Sequence, residues 1–96
     1  MTPVLEPRLD DPVVRRADRW MLVIHNNDVT PFDDVVESLM EATRCDLEEA
    51  AIEAWEAHHY GKAPVHFDED RTALHRPARI INRVGVVTEI VPEFLP

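Results

Sequence analysis

The apolar positions of this 96-residue chain fall into blocks of differing period. Arg19 to His25 reads RWMLVIH, apolar at nearly every position, which predicts a strand buried on at least one face. The turn formers Asn26, Asn27 and Asp28 end it. Phe32, Val35, Val36, Leu39 and Met40 then recur at helical spacing. Thr30 suits the cap of this helix, Pro31 its first position, and Asp33 the third residue after the cap, with the end expected near Arg44.

A second helix is expected from an Asp46 cap with Glu49 completing a capping box. Leu47, Ala50, Ala51, Ala54, Trp55 and His58 form its apolar stripe. Glu48, Glu49, Glu53 and Glu56 fall on the other side. His58 lies at the stripe's edge, in the last turn before the helix stop Gly61. Lys62 to Phe67 reads as a short extended segment. Asp68 is placed to cap a third helix through Arg83, with Ala73, Ile80, Ile81 and Val84 as a partial apolar face and Pro77 kinking or splitting it. Gly85 ends that helix, and the β-branched run Val86 to Val91 is a strand closed by Pro92. The order β-α-α-β-α-β predicts an α+β fold, a small three-stranded antiparallel sheet packed against three helices. Residues 1–18 carry prolines and charges without a period and read as a flexible N-terminal extension, leaving residues 19–96 as one core domain.

Composition narrows the function. Hydrophobic residues make up 45% of the chain, enough for a packed core. The formal net charge of −9 disfavours nucleic acid, whose phosphates would be repelled. No apolar run reaches the length of a membrane span, and the single cysteine, Cys45, suits a reducing compartment. The expected location is therefore the cytoplasm, without membrane contact.

The informative residues sit where the first strand meets the first helix and where the second helix ends. Asn26, Asn27 and Asp28 offer oxygen acceptors, and a neutral His58 offers a nitrogen acceptor. A free α-ammonium, with three donors, a positive charge and no acceptor, complements such a set. By themselves the same residues also suit a plain turn, a helix cap and a partner for the helix dipole. No zinc-ligand spacing is present, and the adjacent His58 and His59 point about 100° apart on a helix. Neither a metal nor another cofactor is expected. A thiol nucleophile is disfavoured because Asp46 beside Cys45 would raise the thiol pKa. An acidic interaction surface remains an alternative, in which Asp34, Glu37, Glu41, Glu49, Glu53 and Glu56 dock a basic partner without regard to N-terminal residues.

Two motifs carry a resemblance. The stretch His25-Asn26-Asn27-Asp28-Val29-Thr30-Pro31-Phe32 resembles the NDD-x-TP motif of the ClpS family of protease adaptors. The stretch His58-His59-Tyr60-Gly61-Lys62-Ala63 resembles that family's VH-x-x-GKA signature. The resemblance is clear over about Trp20 to Val65. It implies an adaptor rather than an enzyme, one that binds the free α-amine and bulky apolar first residue of N-degron substrates and delivers them to a ClpA-type AAA+ unfoldase. By match, Asn26, Asn27 and His58 hold the amine, Asp28 shapes the turn, and Thr30, Phe32, Ala54 and Ala57 line the side-chain pocket. The departures are Asn27 where the family has Asp, Phe32 and Ala54 where methionines are common, and Pro77 and His75 in the third helix.

Overall fold

The computed structural model describes residues 19–93, so the expected N-terminal extension lies outside the described residues. The elements run β1 (Arg19–His25), α1 (Phe32–Thr43), α2 (Leu47–Tyr60), β2 (Lys62–Asp68), a 3-10 turn (Arg71–Leu74), α3 (His75–Asn82) and β3 (Thr88–Glu93). The strand order is β2-β1-β3, and both pairings are antiparallel. This is the expected α+β architecture.

β1 is the central strand, which explains its near-continuous apolar run: Leu22, Val23 and Ile24 are all buried. Leu22 and Ile24 belong to the core with Val36 and Leu39 of α1, Ala50, Ala54 and Ala57 of α2, and Ile80 and Ile81 of α3. Val23 is buried outside that cluster. Each edge strand carries a proline, where a missing N–H costs no ladder bond. Pro64 pairs with Val23 next to a bulge, since Leu22 pairs with His66 and Val65 is the extra residue. Pro92 pairs with Trp20, so β3 runs through the proline expected to close it and starts at Thr88 rather than Val86.

Three helix expectations are corrected. Thr30 does not cap α1: Pro31 occupies the cap position without a side-chain bond, and the Thr30 hydroxyl is used elsewhere. On α2 the Asp46 cap is present, its carboxylate accepting from Glu49 N at 2.8 Å, but the buried stripe is rotated. Ala50, Ala54 and Ala57 are buried, whereas Leu47 is 62% and Trp55 49% exposed. A face of alanines brings the helix backbone close to the sheet and leaves the bulkier neighbours at its margins. There Trp55 stacks on His59 with ring centroids 4.7 Å apart. Lastly, the third helix begins later than Asp68. Asp70 caps the 3-10 turn by accepting from Thr72 N, and α3 starts at His75. Pro77 therefore falls in the first turn of α3, where helical N–H groups lack intrahelical partners and proline does no harm.

Candidate functional site

The site is built where three chain reversals converge. Asn26 N donates to Gly61 O at 2.9 Å, tying the β1–α1 loop to the end of α2. Gly61 closes α2 at φ +94°, and its N–H bonds back to Ala57 O. His25 N donates to Val87 O at 3.0 Å, which joins the same loop to the start of β3. These backbone bonds place His58 beside Asn26 and Asp28 although about thirty positions separate them in the chain.

Together they enclose an open cavity of about 320 Å³. Ile24, Val35, Ala54, Ala57 and Val86 form its apolar wall, with Phe32 and Thr30 also lining it. Ala54 and Ala57 are buried, so their methyl groups contribute wall without filling the space. Phe32 is half-exposed. Asn26, Asn27, Asp28, His58 and His25 add the polar part of the lining. Every residue that the sequence motifs assigned to the amine site, its turn or the side-chain pocket thus borders one cavity. Ile24 and Val35 were legible as apolar positions but not as pocket walls. His25 enters as the last residue of β1, next to Asn26, and Val86 because the segment leading into β3 runs beside β1, a pairing no local pattern announces.

The polar residues differ sharply in what they have left to offer. The side chains of Asn26, Asp28 and His58 are exposed and make no hydrogen bond or ion pair among the described residues. Asn27 is fully engaged. Its Oδ1 accepts from Val29 N at 2.8 Å and Thr30 N at 2.7 Å, and its Nδ2 donates to Thr30 Oγ1 at 3.2 Å and to Gly85 O at 3.0 Å. The Thr30 hydroxyl in turn donates to Val84 O at 2.7 Å. His25 Nε2 pairs with Glu89 Oε1 at 2.9 Å.

Away from the cavity, Cys45, Glu49 and Glu53 bring a sulfur and two carboxylates within 4.8 Å of one another, and none of them lines it. Burial, aided by Glu53 and Glu49, pushes the Cys45 thiol up; the side-chain bond to Thr43 opposes it. This is the reverse of what thiolate nucleophilicity needs. The cause differs from the sequence expectation, which rested on Asp46. Burial first, and then Glu49 and Glu56, hold the Glu53 carboxyl up to about 8. The acidic face is therefore not uniform: Asp34, Glu37, Glu41 and Glu49 are exposed, whereas Glu53 and Glu56 are partly buried. No helix among the described residues is long and apolar enough to cross a membrane.

The domain is thus a small α+β fold, an antiparallel sheet covered by three helices, with a polar-rimmed apolar cavity at one end of its central strand. The chain belongs to the ClpS family, described as ATP-dependent Clp protease adaptor protein ClpS, whose model matches residues 15–84. The match extends through α3, beyond the span over which the motifs are clear. Among solved structures, that of Agrobacterium tumefaciens ClpS2 bound to L-phenylalaninamide is similar in fold, with a TM-score of 0.73. The two are 21% identical over 81% of this chain and 100% of that one. No curated protein matches the chain.

Proposed function

We propose that the chain captures proteins by a free N-terminal residue and passes them to a Clp-type AAA+ unfoldase. The observation that carries this is the pairing of three polar side chains unengaged among the described residues, Asn26, Asp28 and His58, with an apolar cavity at the same loop. An N-terminal residue has both halves of the complement, an ammonium and a side chain on one carbon. Each charge-assisted hydrogen bond to that ammonium contributes about 1.5–3 kcal/mol. Burying a phenyl or indole in the cavity adds about 1.5–3 kcal/mol. The family supports the reading, as does the chemistry of L-phenylalaninamide, which presents a free amine and a benzyl group.

The amine ligands are revised from the sequence expectation. Asn27 was expected there, but both acceptor sites of its oxygen already take backbone N–H groups. Asp28 replaces it, restoring a carboxylate to the rim. His58 supplies a ring-nitrogen acceptor to the same ammonium. In this reading Thr30, Phe32, Ala54 and Ala57, which line the cavity, surround the first side chain. Delivery to the unfoldase, with residues 1–18 and α3 as the engaging parts, completes the adaptor role.

A scan of peptides differing only in their first residue tests this reading. Binding should rise from Ala and Asp to Leu, Phe and Trp. Indifference to the first residue together with steep loss in salt would instead support an acidic docking surface for basic partners. Delivery is checked separately, by asking whether the protein accelerates ClpAP-type degradation of a Phe-initiated reporter.

A further inference from the structure

We propose that Asn27 and Thr30 form a latch that positions the amine-binding rim against the turn between α3 and β3, and that the latch requires an amide at position 27. The proposal rests on the reading of the rim as an amine site, but its own support is hydrogen-bond geometry. Asn27 lies between the two loop residues of the rim, Asn26 and Asp28, so whatever holds Asn27 holds the backbone that carries both. Its side chain uses its full capacity, two acceptor sites on Val29 N and Thr30 N and two donors on Thr30 Oγ1 and Gly85 O. Thr30 Oγ1 passes the connection on to Val84 O. Two side chains of the β1–α1 loop thereby grip two successive carbonyls of a turn more than fifty positions later in the chain.

The turn is shaped to be gripped. Gly85 has φ +93°, a left-handed conformation that L side chains rarely adopt. A Cβ there would lie 3.2 Å from Thr30 Oγ1, so the glycine also permits the close approach. The chemistry at position 27 is equally constrained. A carboxylate would still accept from Val29 and Thr30, but it has no N–H for Gly85 O. One of its oxygens would instead face that carbonyl about 3 Å away, two acceptors with no proton between them.

A direct amine ligand and a latch therefore respond oppositely to Asn27→Asp. A ligand gains a full negative charge next to a cation and binds tighter. A latch loses its bridge and binds weaker. The test uses the full chain and a peptide with a free N-terminal Phe, titrated by fluorescence anisotropy. Amide exchange by NMR is followed at Val29 and Thr30, with Leu22 and Ile24 of β1 as the reference for an intact fold. Asn27→Asp and Thr30→Val should each weaken binding about tenfold, the scale of one lost internal hydrogen bond. Thr30→Val should also speed exchange at Val29 and Thr30 while leaving Leu22 and Ile24 unchanged; Asn27→Asp, whose carboxylate still accepts from both N–H groups, is judged by binding. Thr30→Ser, which keeps the hydroxyl, should recover most of the affinity. The double variant should bind no more weakly than the worse single one, because the two residues act as a unit. Unchanged or tighter binding in either Asn27→Asp or Thr30→Val, or unchanged exchange at Val29 and Thr30 in Thr30→Val, overturns the latch. Equal binding of free and acetylated peptides by the unmodified chain would instead remove the amine reading, and the exchange rates would still decide the latch.

Discussion

Glu53→Gln should stabilise the protein, and only above mildly acidic pH. Glu53 lies on α2 with one carboxyl oxygen, Oε1, fully buried and without a hydrogen-bond partner among the described residues. Burial and the neighbouring Glu49 and Glu56 raise its pKa from 4.5 to about 8. Between those values the folded chain keeps a proton that the unfolded chain has released. Folding stability therefore falls as pH rises from about 4.5 to about 8 and is level above. At face value the shift corresponds to about 5 kcal/mol. Glu53 is only partly buried, however, and solvent screening reduces the expectation to about 1–2 kcal/mol. Glutamine keeps the size of the side chain, stays neutral, and has an N–H to give Glu49. Thermal melts followed by circular dichroism at pH 5, 7 and 9 provide the assay, with the parent melted in parallel so that all other carboxylates cancel. The variant and parent should coincide at pH 5 and separate by about 5–10 °C at pH 9, given about 4–8 °C per kcal/mol for a domain of this size. An equal gain at every pH would mean better packing rather than a removed charge. No gain at pH 9 would refute the buried-carboxylate argument.

Other expectations concern the site and the turn behind it. His58→Ala and Asp28→Ala should each weaken a free-amine peptide at least tenfold by isothermal titration, from loss of one charge-assisted bond of about 1.5–3 kcal/mol. Ala54→Met should penalise Trp-initiated peptides by about 1–3 kcal/mol more than Leu-initiated ones, because it fills the cavity that the two alanines leave open. The same loss for all first residues would place position 54 outside the pocket. Gly85→Ala should destabilise the fold by about 1–3 kcal/mol in urea titrations, from the left-handed φ and the contact with Thr30.

The sequence exposed the site better than it exposed the way the site is held. Strand β1 announced itself because a central strand is apolar on both faces, and the Asp46 cap and the Gly61 stop were local signals that stayed local. Asn26, Asp28 and His58 were visible because turn formers and a helix-end histidine stand out against apolar runs. Long-range partners overrode local chemistry elsewhere. Thr30 looked like a cap by its position before Pro31, yet its hydroxyl bonds to Val84, whose approach depends on the return of β3 beside β1. Asn27 looked like an amine ligand by its place in a motif, yet its oxygen is filled by the two residues that follow. Pro77 looked like a break inside a helix because the start of that helix was placed at Asp68, and a 3-10 turn moves the start to His75. On α2 the large residues Leu47 and Trp55 suggested a buried stripe, whereas the alanines set the packing. Val86 and Gly85 carried local signals for a strand and a helix stop, but not for a cavity wall or a close approach to Thr30. Their roles follow from strand order.

The rim around Asn26, Asp28 and His58 is proposed to receive a free α-ammonium, and one pair of titrations tests it directly. One peptide, starting with Phe and carrying a fluorophore at its far end, should be titrated with its amine free and with its amine acetylated. Acetylation removes the positive charge and two donors while leaving the benzyl group unchanged. Binding should fall by at least a hundredfold, the equivalent of about 3 kcal/mol or more. Equal affinity for the two forms would contradict the account.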